Sequence, residues 1–83
     1  MKTYLITFRS ITTAQRGQGV LEEEGIHCRL RRTPRWMEER GCGYALETRL
    51  GDVRRATGAL SRRQVPWRKS YRLGSDGEVE ELK

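Results

Sequence analysis

Histidine and cysteine are scarce in this chain of 83 residues. It has one histidine, His27, and two cysteines, Cys28 and Cys42. No Cys-x-x-Cys pair occurs, so the set falls short of the four ligands of a structural zinc site, and no metal centre is expected. No histidine lies near Cys42 in sequence, which leaves a cysteine-hydrolase dyad poorly supported. Long apolar runs are missing as well. Nothing approaches the roughly 20 residues a membrane helix needs, and the short mixed run after Lys2 is no secretory leader. These absences point to a cytoplasmic protein whose two cysteines are reduced thiols and not a disulfide. Lysine is also rare, with fourteen Arg against three Lys, for a net charge of +6 and a pI near 10.0. Such a balance invites anionic partners, namely nucleic acid, phosphates or an acidic protein face. A solvated basic surface with no partner reads equally well.

What is present is one small domain. A chain of this length buries only about 60–65% of its unfolded surface, so its stability margin is thin. Hydrophobic residues are 35% and charged residues 34% of the chain, and the apolar stretches recur at regular intervals, which fits a globular domain with a charged surface. Thr3-Tyr4-Leu5-Ile6-Thr7-Phe8 is β-branched and aromatic and reads as a strand buried on both faces. Ser10 or Thr12 (the latter in a Thr-x-x-Gln box with Gln15) caps a helix running to about Glu24. Ala14, Gly17 and Leu21 form its inner face, and Gly25 ends it. Glu22, Glu23 and Glu24 sit where the helix dipole disfavours acids, which calls for arginines from elsewhere. Ile26 to Arg31 alternates as a half-buried strand, with His27, Arg29 and Arg31 on one side and Cys28 packed on the other. Gly43 to Arg49 reads as a third strand. Asp52 caps a second helix from Val53 to about Arg63, and Trp67 to Leu73 makes a fourth strand.

The order βαββαβ predicts an α+β, ferredoxin-like fold: a four-stranded antiparallel sheet with two helices on one face. The opposite face is expected to be open and lined by Arg29, Arg31, Arg68 and Arg72. Residues 1–74 form the domain, and 75–83 are read as an acidic, flexible tail.

The second and third strands are joined by about eleven residues, Arg32 to Cys42, and long loops in compact domains are often functional. Thr33-Pro34 opens this loop in an extended or turn geometry. Cys42 ends it between Gly41 and Gly43, whose backbones allow close approach and shield the sulfur little. Arg35 and Arg40 are near enough in sequence to favour a thiolate, since a nearby cation lowers a thiol pKa from about 8.5. Glu38 and Glu39 oppose this if turned inward. A thiolate that attacks and carries an activated sulfur or selenium atom needs no histidine base. The other reading is that Cys42 is simply a small residue in a tight turn. With Cys28 facing about Leu46, Cys42 lies roughly four residues along the ladder, about 13 Å away. A disulfide needs Cα atoms within about 7 Å, so none is expected between the two.

The run Thr33-Pro34-Arg35 followed by Gly41-Cys42-Gly43-Tyr44-Ala45-Leu46 resembles the signature of a family of small bacterial proteins described as selenium/sulfur carriers. Tyr4-Leu5-Ile6-Thr7-Phe8, Ser10 and Gly25-Ile26 match that family in order, so the resemblance spans residues 3 to 73. Family members usually have a serine-rich lead-in where this chain has Met37-Glu38-Glu39-Arg40-Gly41. The resemblance implies that Cys42 is a carrier thiol holding persulfide or selenide, with Thr33, Pro34, Arg35 and Gly43 shaping its pocket. It implies a carrier and not a catalyst, with no tightly bound cofactor, only transient sulfur or selenium. The partners it implies are a donor enzyme, such as a cysteine desulfurase, and an acceptor.

Two alternatives stand beside it. Arg40-Gly41-Cys42-Gly43-Tyr44-Ala45 is similar to part of the strand-three octamer of RNA-recognition motifs, with Tyr4 as the aromatic on the first strand. Cys42 and Glu47 occupy positions where that motif has aromatics, and stacking on aromatics carries most of such binding. A small interaction module is the other alternative, with Trp36 or Trp67 as anchor and a homodimer through open sheets among its forms.

Overall fold

The computed structural model describes residues 3–32, 43–49, 52–73 and 79–82. The elements run in the order β1 (Thr3–Thr7), α1 (Ile11–Glu23), β2 (Cys28–Arg32), β3 (Tyr44–Arg49), α2 (Val53–Arg62), β4 (Ser70–Leu73) and β5 (Val79–Leu82). The fold is α+β, with two helices and one antiparallel sheet of strand order β2-β3-β1-β4-β5. The expectation of four strands is thereby corrected to five. The acidic segment read as a flexible tail supplies the fifth, because Val79–Leu82 pairs with all of β4.

β1 is central, between β3 and β4, and both its faces are buried as its mixed parity requires. Ile6 points to one side and Leu5 to the other, each 0% exposed. On Ile6's side lies the main core, which joins Phe8, Leu46 and Ile26 with Ala14, Val20 and Leu21 of α1 and Ala56, Ala59 and Leu60 of α2. Both helices therefore pack on this face. On the other side Leu5, Ala45 and Tyr71 form a second, smaller cluster joined by Leu73.

Ser10 is the cap of α1. Its hydroxyl accepts from the Thr13 amide at 3.1 Å, and Thr12 lies inside the helix. Asp52 occupies the cap position of α2 and its carbonyl accepts from the Ala56 amide at 2.8 Å, but its side chain makes no capping hydrogen bond. Its carboxylate meets Arg55 at 3.5 Å instead, because Asp52 itself has helical backbone angles (φ −97°, ψ −7°) and not the extended ones that aim a cap.

Both helices end in the same Schellman turn. In α1, Ile26 donates to the Leu21 carbonyl and Gly25 to that of Glu22; in α2, Val65 donates to Leu60 and Gln64 to Ser61. The residue after each motif's left-handed position, Ile26 or Val65, is buried in the main core. Gly25 takes φ +73° without cost, whereas Gln64 holds φ +60° as a non-glycine residue. Gly17 marks the closest packing. A Cβ there would lie 3.1 Å from Leu60 Cδ2 and from two ring atoms of Phe8.

The expected strand from Trp67 to Leu73 is interrupted. Thr7 accepts from the Arg68 amide and donates to the Lys69 carbonyl, both at 2.8 Å. Two residues thus oppose one, which is a β-bulge. The extra residue breaks the alternation. Trp67 packs on the main core with its indole N–H donating to Ser61 Oγ at 3.3 Å, while Tyr71 and Leu73 belong to the opposite cluster.

Candidate functional site

β1 and β2 end, and β3 and β4 begin, at one end of the sheet. Arg31, Ala45 and Thr7 align there across β2, β3 and β1. Arg32 is paired with Tyr44 one step further. The segment between Arg32 and Tyr44 is the one in which the sequence places the reactive thiol. Cys42, Thr33, Pro34, Arg35, Arg40 and Gly41 lie outside the described residues. Gly43 is described. It is buried, and its φ of +80° is left-handed, a conformation that strains any other residue.

The described frame of this end is cationic. Arg32 lies over the ring of Tyr44, its guanidinium carbon 5.8 Å from the centroid, a cation–π geometry. Arg9 follows β1, and Arg68 and Lys69 precede β4. Among the described residues Arg9, Arg32 and Arg68 make no ion pair, whereas Lys69 meets Glu81 at 3.5 Å. α1 starts from the same end, so its positive dipole end adds to the potential there. The sequence reading missed Arg9 and Arg32. Their signal was positional, one directly after the first strand and the other directly before Thr33.

Cys28 sits at the other end of β2. It pairs with Thr48 and not Leu46, so the register moves it two residues further from the loop than expected. The thiol is free and half-buried, and its sulfur donates to the Gln18 carbonyl at 3.9 Å. Burial, and secondarily the charge of Glu22, pushes its pKa up to about 11. Such a thiol is protonated at neutral pH and a poor nucleophile. Opposite it, the Thr48 hydroxyl is buried with no hydrogen-bond partner among the described residues.

The face away from the helices carries fewer arginines than expected. Arg29 and Arg31 are on it, but both converge on Glu47, at 3.5 and 2.5 Å. Arg72 pairs with Tyr4 in register and so shares the helix-side face of Ile6. Its guanidinium is bonded to Glu80. Arg68 sits in the bulge. Among the described residues the aromatics of the nucleic-acid alternative do not share one open face. Tyr4 shares the face of Ile6, and Tyr44 packs against the main core. Tyr71, on the opposite face, is only 9% exposed.

His27 is exposed, as expected of a surface residue. No group of three His, Cys, Asp or Glu side chains suited to a metal occurs among the described residues. No described helix is long and apolar enough to cross a membrane.

The model of a protein family described as "Putative Se/S carrier protein-like" matches residues 3–72. The match takes in β1 through most of β4, and the chain belongs to this family. No curated protein and no solved structure matches it significantly.

Proposed function

From this membership we propose that the chain carries sulfur or selenium on Cys42. The family match carries the reading; the cationic sheet end that frames the Cys42 segment supports it. In the transfer step the Cys42 thiolate attacks the terminal sulfur of a donor persulfide. A new S–S bond forms to Cys42 as the donor's S–S bond breaks. The donor cysteine leaves as thiolate, so one sulfane sulfur moves with no net oxidation. A second thiolate on the acceptor reverses the step. Selenium moves the same way as a selenopersulfide. Positive charge favours an anionic thiolate and an anionic persulfide alike wherever it faces them, and Arg9, Arg32 and Arg68 supply it at the end of the sheet where β2 ends and β3 begins. Cys28, held protonated by burial, is the packing cysteine. The chemistry requires reduced thiols, which fits a cytoplasmic setting.

The test is direct. Reduced protein is incubated with a cysteine desulfurase and cysteine, and intact mass is read for wild type, Cys42→Ser and Cys28→Ser. A gain of one sulfur atom lost only in Cys42→Ser supports the reading. No gain in wild type, or a gain divided equally between the two thiols, refutes it.

A further inference from the structure

β5 is held to the sheet differently from the other strands. It is four residues long and pairs with β4 throughout: Ser70 with Leu82, Tyr71 with Glu81, Arg72 with Glu80 and Leu73 with Val79. Its described side chains add little to the core. Glu80 and Glu81 are exposed, and Leu82 is half-buried and joins neither apolar cluster. Its described side-chain bonds are ion pairs. Glu80 is bonded to Arg72 on the helix-side face of the ribbon, and Glu81 meets Lys69 at 3.5 Å on the other. Each face of the β4–β5 ribbon thus places a base of the β4 segment against an acid of β5. β4 itself is anchored without β5, since Ser70 and Tyr71 are buried and paired to β1. The family match ends at residue 72, before β5 begins. In the matched portion alone, β4 is an edge strand with Arg72 on one face and Lys69, just before it, meeting the other.

An edge strand is a template for a further strand, with backbone bonds giving affinity and side chains giving selectivity. We propose that the outer edge of β4 is a docking edge for an acidic, extended segment of a partner protein, and that β5 occupies it in cis as a displaceable stand-in. The partner segment has the chemistry of β5: two adjacent acids between apolar residues, as in Val79-Glu80-Glu81-Leu82. Its acids meet Arg72 and Lys69. Short strands held by exposed ion pairs open more readily than core strands, so the edge is reachable without unfolding the sheet. The proposal stands apart from sulfur carriage, and its test does not read Cys42.

The experiment uses the full chain, isotope-labelled, and a synthetic peptide copying residues 77–83 as the probe. Wild type is compared with Glu80→Lys/Glu81→Lys, which weakens the strand in cis. The double variant is expected to bind the peptide at least tenfold more tightly than wild type. The amides of Ser70 to Leu73 shift and those of Leu46 do not, and a peptide with lysines for glutamates fails to bind. Hydrogen exchange on unmodified protein reads the same property without a variant: β5 amides exchange faster than β1 amides, as a unit. The proposal is overturned if neither form binds the peptide or if the lysine peptide binds equally well. It is likewise overturned if the variant dimerises instead of taking up peptide, if an oligonucleotide moves the same β4 amides, or if β5 is as protected as β1.

Discussion

The Arg63 guanidinium of α2 donates to the carboxylate of Glu23 at the end of α1, 2.9 Å away. Arg62 reaches Glu24 at 3.3 Å beside it. Two of the three acids at the C-terminus of α1, Glu23 and Glu24, unfavourable on dipole grounds alone, thus find cations at the end of α2.

The pair is exposed, so its energy is modest. A double-mutant cycle with Glu23→Gln and Arg63→Gln is expected to give a coupling of about 0.5 kcal/mol in low salt. It shrinks towards zero near 1 M salt, where screening acts over about 3 Å. Urea denaturation of the four proteins checks this, and a coupling indifferent to salt would contradict it.

The two glycines inside α1 separate propensity from packing. Gly19 has nothing within 4 Å of an added Cβ, so Gly19→Ala is expected to stabilise by about 1 kcal/mol. At Gly17 the same gain is offset by contacts at 3.1 Å with Leu60 and Phe8. Gly17→Ala is therefore near neutral or destabilising, and Gly17→Val destabilises by about 1–3 kcal/mol through overpacking. Equal effects at the two positions in thermal unfolding would refute the close contact.

Gln64 holds a left-handed backbone at the end of α2. Gln64→Gly relieves that conformation and is expected to stabilise by about 1 kcal/mol, and Gln64→Val to destabilise. A loss of stability on the change to glycine would count against the turn.

Cys28 predicts a pH effect confined to alkali. Its thiol titrates near 9.0 when unperturbed and at about 11 in the fold. Folding favours the protonated form, so its contribution is complete below pH 9 and is lost as pH rises from 9 to 11. The stability difference between wild type and Cys28→Val should fall across that window and stay flat from pH 6 to 8. In Cys42→Ser at pH 8, alkylation of Cys28 should run about a hundredfold slower in the folded protein than in denaturant, following the thiolate fraction.

Local chemistry made much of this fold legible. Strand β1 with residues of both parities, Gly25 as a helix stop and Gly17 on the packed face were all readable, and the cap was narrowed to Ser10 or Thr12, because each depends on neighbours a few residues away. What was not readable depended on partners far along the chain. The bulge at Arg68 and Lys69 exists because Thr7, sixty residues earlier, bonds both. It reversed the side of Trp67 that simple alternation gives. The acidic tail looked frayed because its own composition is polar. Arg72 and Lys69 make it a strand. For the site, the sequence supplied Cys42 and its glycines, and Gly43 adopts the backbone that only glycine takes easily. The cationic frame of Arg9, Arg32 and Arg68 became visible only when four strands were laid side by side.

The pairing of Arg32 with Tyr44 has a consequence for how this protein can change. It holds the two ends of an eleven-residue segment one strand spacing apart, about 5 Å, whatever that segment contains. The entropy of closing such a loop grows only with the logarithm of its length, about 0.6 kcal/mol for each doubling. Residues 33–42 can therefore be lengthened, shortened or rewritten at little cost to the sheet, with Gly43 kept for its left-handed backbone. Met37-Glu38-Glu39-Arg40 in place of a serine-rich lead-in is a substitution of this inexpensive kind: chemistry is free to vary at the tip while folding is decided elsewhere.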